Sequence, residues 1–195
     1  MTTSLVLRAL ALSVLAAALL ATGSPAVGAP APPPVVPVGA YGWPLAGVDG
    51  DGAPARAGVP GAATRLFDPP PHYYGRGHRG ADLAGRPGLP VLAAGDGVVV
   101  HAARLAGRGV VSVQHGDGLR TTYEPLTVSV APGTPVRRGD PLGVLDPGHR
   151  GCPVAACLHW GLRRPSTTGA VGALEYLDPL LLLGLGRVRL LPTDP

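Results

Sequence analysis

The chain has 195 residues, 46% of them hydrophobic, a net charge of +4 and a pI near 9.6, which leaves room for one folded domain with extensions. Gly 30 and Pro 24 together exceed a quarter of the chain, a level that signals low complexity when it is uniform. Here much of the proline sits in two stretches and the glycines punctuate short apolar runs, so a β-rich domain with tight turns is expected in place of disorder. All sixteen basic residues are Arg and none is Lys, which excludes a lipoyl- or biotinyl-type carrier, whose cofactor is attached to a lysine. Dispersed positive charge suits an anionic surface such as cell wall or membrane. One Phe and two Trp give no stacking platform for single-stranded nucleic acid, and no nucleic-acid partner is expected.

At the N-terminus, Arg8 precedes an apolar run from Ala9 to Ala21. That length fits a signal-peptide core and falls short of the roughly 20 residues of a membrane-spanning helix. Small residues through Gly23-Ser24 and Ala26 to Ala29 place cleavage between residues 24 and 31, with 1–29 as the signal peptide. Export follows, to a secreted or cell-wall-associated location with no transmembrane span after cleavage; retention as an anchor is the alternative. Residues 30–63 read as a linker: Ala29 to Val38 is Pro/Ala-rich, which favours extended polyproline structure, and Gly47 to Ala63 is rich in Gly, Pro and Ala. Between the two, Tyr41 to Leu45 reads as a short strand docked on the domain. The folded unit is assigned to 64–186 and a tail to 187–195.

Short apolar runs bounded by glycine turns fill the body of the chain. Pro90 to Ala93, Val98 to Ala103, Val110 to His115, Leu119 to Tyr123, Thr127 to Val130, Pro141 to Leu145 and Leu158 to Leu162 are the strand candidates. Gly95-Asp96-Gly97, Gly116-Asp117-Gly118, Pro132-Gly133 and Gly139-Asp140 supply the turns between them. Strands at this spacing predict an all-β sheet or barrel, with Tyr176 to Leu185 as at most one short helix.

Chemistry-bearing residues gather in two places. Gly77-His78-Arg79-Gly80-Ala81-Asp82 sets a histidine and a carboxylate four apart between glycines, and Leu158-His159-Trp160 sets a second histidine in a strand-like run. Zinc accepts nitrogen and oxygen donors of these kinds, and a catalytic site takes three protein ligands and keeps an open position. Alone, the first spacing would equally suit a solvated pair on a surface turn.

With those segments in place, the stretch from Trp43 to Gly184 resembles the lysostaphin-type (LytM-like) zinc metallopeptidases. The blocks that carry the resemblance are Gly77 to Asp82, Pro90 to Val99, Val111 to Gly118, Thr122-Tyr123, Val136 to Gly143, Leu158-His159-Trp160 and Tyr176 to Pro179. The resemblance implies a β-sheet core of the duplicated-hybrid type, barrel-like and with long loops. It also implies Zn2+ held by His78, Asp82 and His159, and action on the stem or cross-bridge peptides of peptidoglycan.

Two positions depart from the family pattern. Peptide-cutting members carry a histidine two residues after the mid-domain tyrosine and another at the start of the closing H-x-H. This chain has Pro125 and Cys157 there, and losing general acid–base help typically costs about 100- to 10,000-fold. Glu124 is a candidate replacement, but strand side chains alternate faces; if Tyr123 and Pro125 face the site, Glu124 points away. Tyr123 reads either as an oxyanion donor or as an aromatic packed on the sheet. His101 and His115 read as ordinary, partly exposed strand histidines; His72 and His149 lie in loops on either side of the site, from which either could swing in, and His149 is close in sequence to Cys157. Cys157 has three open fates: a disulfide with Cys152, which export favours, a fourth, thiolate ligand, or a free thiol. Two functions follow from the pattern: an exported zinc peptidase with a reduced set of helping groups, or an inactive wall-binding or regulatory domain that activates a cell-wall hydrolase.

Overall fold

The structure, a computed structural model, describes residues 39–45, 63–72, 74–166 and 174–185. The expected signal peptide, most of the Pro/Gly/Ala-rich linker and the 187–195 tail lie outside the described residues. No helix among the described residues is long and apolar enough to cross a membrane.

The fold is all-β. Among the described residues, eleven strands form two antiparallel sheets: β1 (Ala63–Arg65), β2 (Ala81–Gly85), β3 (Pro90–Leu92), β4 (Gly97–Leu105), β5 (Arg108–Gln114), β6 (Arg120–Glu124), β7 (Leu126–Val128), β8 (Pro135–Val136), β9 (Pro141–Leu145), β10 (Ala156–Pro165) and β11 (Leu174–Leu177). The larger sheet runs β1-β2-β10-β6-β5-β4-β8, with β11 also paired to β10, and the smaller runs β3-β9-β7. The sheets do not close into a barrel. Pro179–Leu183 makes one 3₁₀ turn, whose start is capped by the Asp178 carboxylate accepting from the Leu180 N–H at 3.0 Å.

All seven strand candidates form at or near their expected bounds, and four strands were not foreseen. β2 reads Ala-Asp-Leu-Ala-Gly, residues with little intrinsic strand preference; what makes it a strand is its pairing to β10, a tertiary override of local propensity. β11 forms in the same way, against Leu162 to Pro165 of β10. β1 and β8 are edge strands of three and two residues, too short to show a period. At ten residues, β10 is the longest strand and the organising one. It pairs with β2 and then β11 along one edge, and with β6 along the other.

Alternation sorts β10 and β6 into two faces. Leu158, Trp160 and Leu162 turn inward with Tyr123, and all four are buried in a core shared with Leu83, Val111 and Val113. Tyr41 and Leu45 are buried in the same core. The Gly42 N–H donates to the Ala94 carbonyl at 2.7 Å and the Leu92 N–H to the Pro44 carbonyl at 2.8 Å, so the 41–45 segment packs on the domain by backbone hydrogen bonds as well as side chains.

One buried polar chain crosses this core. The Ala94 N–H donates to the Tyr123 hydroxyl at 2.9 Å, which contacts Thr121 Oγ1 at 2.8 Å, which in turn contacts His115 Nε2 at 2.8 Å; His115 Nδ1 lies 2.8 Å from the Asp96 carbonyl. A carbonyl only accepts, so Nδ1 carries the proton and Nε2 accepts from Thr121, which leaves Thr121 to accept from Tyr123. His115 is therefore a buried, neutral structural histidine, where partial exposure was expected. Burial pushes its pKa down, against the pull of the Asp96 carbonyl, and burial pushes the Tyr123 phenol up to about 12. Because the lowered His115 pKa favours the neutral folded form, its stability contribution is intact above the unfolded value of about 6.5 and is lost as pH falls below it. Thermal melts between pH 8 and pH 5 are expected to show the midpoint dropping below about pH 6.5. His115→Gln is expected to start lower and to fall less steeply; an equally steep fall in the variant would remove His115 as the cause.

Candidate metal centre

Three adjacent strands carry the site. Asp82 of β2 is the direct cross-strand partner of His159 of β10, and His159 is the direct partner of Glu124 of β6. Directly opposed residues share a face, so Asp82, His159 and Glu124 stand side by side on the face away from Trp160 and Tyr123. His78 comes from the preceding loop. Its backbone exchanges hydrogen bonds with Asp68, His78 N–H to Asp68 C=O at 2.6 Å and Asp68 N–H to His78 C=O at 2.9 Å, which pins the loop beside the start of β2.

The donor atoms of His78, Asp82 and His159 converge. His78 Nε2 lies 2.9 Å from Asp82 Oδ1 and 3.1 Å from His159 Nδ1, and His159 Nδ1 lies 2.8 Å from Asp82 Oδ1. His78 and Asp82 are buried and His159 is partly so. Burial alone would raise the Asp82 pKa, but its contacts with the His159 and His78 imidazoles outweigh burial and hold the carboxyl well below the ordinary range.

The donor set fits a zinc ion. His78 Nδ1 is 2.8 Å from the Leu66 carbonyl, which accepts only, so Nδ1 holds a proton and Nε2 is the ring nitrogen turned toward Asp82 Oδ1 and His159 Nδ1. In the neutral ring that nitrogen is free to bind a cation placed between it and the carboxylate. An outer carbonyl fixing the tautomer of a histidine is also the usual support for a metal-binding imidazole. Zinc bonds of about 2.0–2.2 Å in a tetrahedral site set donor atoms about 3.3 Å apart, close to the spacings seen here.

Gly80 matters for packing. A Cβ built there would lie 2.4 Å from the Trp160 carbonyl oxygen and 2.7 Å from His159 Nε2. Only a residue without a side chain lets the His78–Asp82 segment lie this close to β10.

The neighbouring positions correct several expectations. Tyr123 is fully buried and its hydroxyl is committed to Ala94 and Thr121, so it points away from the site. Glu124, on the opposite phase, lines the groove beside His159 and pairs with Arg108 at 3.0 Å. The large aromatic takes the core, and the acid is thereby turned outward. Pro125 is buried and has no polar side-chain atom to offer. Cys157 is joined to Cys152, with α-carbons 5.6 Å apart, within the distance a bridge requires; the free-thiol and metal-thiolate alternatives are closed. His72 is exposed. His101 lines the groove with its Nε2 buried and unbonded among the described residues.

His149 is the residue that sequence reasoning undervalued. Its Nε2 lies 3.4 Å from Asp82 Oδ1, and its ring lies nearly parallel to that of His159, with centroids 5.9 Å apart. No local pattern marks it; the one usable signal was the nearby pair of cysteines.

The groove beside the triad encloses about 690 Å³ and is lined by Arg79, Arg108, Arg120 and Arg163, with Glu124 as its carboxylate. Arg79 and Arg163 both sit over the Tyr176 ring, at 5.7 and 5.8 Å from its centroid.

Residues 76–171 match the model of peptidase family M23. An uncharacterised protein of Mycobacterium tuberculosis is 47% identical over 151 residues, covering 77% of this chain and 54% of the relative. A Mycobacterium bovis protein gives the same figures, so the chain spans about half the length of the curated relatives it matches. Among solved structures, the antimicrobial peptidase lysostaphin from Staphylococcus simulans superposes with a TM-score of 0.51 at 23% identity, over 68% of this chain and 55% of that one. That likeness shows the fold.

Proposed function

We propose, from the match of residues 76–171 to the model of peptidase family M23, that the chain is an exported zinc-binding peptidase-type domain directed at peptidoglycan peptides. The observation that carries this reading is the convergence of His78, Asp82 and His159 beside a basic groove that His159 also lines. These three residues would hold the ion. Zinc in such a site polarises a carbonyl and lowers the pKa of its bound water toward neutrality. The chain's own residues supply the rest. The Leu66 carbonyl holds the proton on His78 Nδ1, the Asp82 carboxylate stays ionised, and the arginine-lined groove favours an extended ligand bearing carboxylates.

At the two positions where family members place helping histidines, this chain offers no proton-transfer group, since Pro125 is apolar and Cys157 is bridged. That observation favours a second reading, a wall-binding or regulatory domain that keeps the groove and acts through another cell-wall enzyme. Release of new amino groups from purified peptidoglycan by the zinc-loaded full chain separates the two. Zinc-dependent release is expected, slowed by added salt because Arg108 is exposed and Arg79, Arg120 and Arg163 are partly so, within reach of screening. Binding to peptidoglycan without release at any salt concentration would select the second reading.

A further inference from the structure

The loop between β9 and β10 has almost nothing to hold it down. From 147 to 155 every residue is exposed except His149 and Cys152, so no apolar side chain anchors the segment. Gly148 and Gly151 adopt positive φ, +97° and +83°, a conformation that glycine takes without penalty. They bracket a turn in which the Cys152 N–H donates to the His149 carbonyl at 3.2 Å. The one covalent tether is the Cys152–Cys157 bridge, which ties this turn to β10 two residues before His159. His149 is carried at the head of that turn and lies against Asp82 and His159.

We infer that the Cys152–Cys157 bridge is a positioning device that holds His149 against the His78–Asp82–His159 triad. Cys157 occupies the place on β10 where a side chain two residues before His159 shares its face. By bridging to Cys152, it brings an imidazole to the site from the loop in place of one on the strand. His149 acts here as a positioning residue: its Nε2 touches the carboxylate oxygen that would bind the ion, and its ring covers one side of His159. Partners of this outer kind typically carry about 10- to 100-fold in metal affinity. The zinc consequences rest on the metal-centre reading; the placement of His149 does not.

The test therefore has a metal-free arm. In the metal-free chain, magnetic resonance of the histidine rings is expected to show a His149–His159 proximity. That proximity should vanish on reduction of the disulfide while the amide spectrum of β2, β6 and β10 persists. A proximity that survives reduction, or is absent from the oxidised chain, overturns the inference. In the zinc arm, His149→Ala and the double variant Cys152→Ser/Cys157→Ser are each expected to weaken zinc binding about tenfold, with the triple variant no weaker than His149→Ala. His149→Ala lies on an exposed loop and keeps the bridge, so it reports even where the cysteine variants fold poorly. Unchanged zinc affinity in that variant, or full additivity in the triple, contradicts the inference. A parent chain that binds no zinc at all sinks the metal-centre reading instead, and leaves the ring proximity to decide the role of the bridge.

Discussion

His159→Ala is expected to lose zinc at concentrations that saturate the parent, and to lose zinc-dependent peptide release with it. His159 contributes the one donor that comes from outside the 78–82 segment, so without it the remaining pair, His78 and Asp82, is a two-ligand site. Replacing outer partners of metal ligands costs about 10- to 100-fold in affinity, and removing a ligand itself is expected to exceed that range. The fold should survive, because the His159 side chain is partly exposed and faces the groove while its neighbours Leu158 and Trp160 fill the core. Calorimetric zinc titration beside a thermal melt checks both halves. A variant that binds zinc within about tenfold of the parent would remove His159 from the ligand set.

Gly80→Ala is the second large effect. It touches no ligand by identity, yet its Cβ would fall 2.4 Å from the Trp160 backbone oxygen and 2.7 Å from His159 Nε2. A flexible side chain can yield, but the Trp160 carbonyl belongs to the β10 ladder and cannot move alone. Overpacking of this kind costs typically about 1–3 kcal/mol. The strain is directed at the contact between the His78–Asp82 segment and β10, so zinc affinity is expected to fall together with stability. Gly133→Ala is the control: it has positive φ but open space at its Cβ, and so should cost stability and leave zinc affinity as in the parent. Equal zinc affinity in the parent and Gly80→Ala would show that the close approach at Gly80 does not set the site geometry.

The all-β class and the main strands were legible because alternating apolar runs and Gly-Asp turns are local signals. β2 was not legible. Its alanines, aspartate and glycine express no strand preference, and the neighbours lying alongside, β10 above all, make them pair. The triad residues themselves stood out, since a His–Asp pair between glycines and a histidine in an apolar strand are both unusual. Their convergence, however, depends on a register that sequence does not carry. The side taken by Glu124 hung on the phase of β6, which the sequence left open between Tyr123 facing the site and Tyr123 packed on the sheet. The fully buried pair Tyr123 and Trp160 fixes the second phase and turns Glu124 to the groove. His149 could not be placed from spacing at all, because its position comes from two glycine turns and a disulfide.

A single metal centre built by His78, Asp82 and His159 has a definite zinc stoichiometry. The purified full chain, stripped with chelator and dialysed against limiting zinc, would be assayed by elemental analysis beside Asp82→Asn and His159→Ala. About one zinc per parent chain is expected, and a small fraction of that in either variant. A parent chain that emerges without zinc, or variants that retain it as the parent does, would rule this centre out.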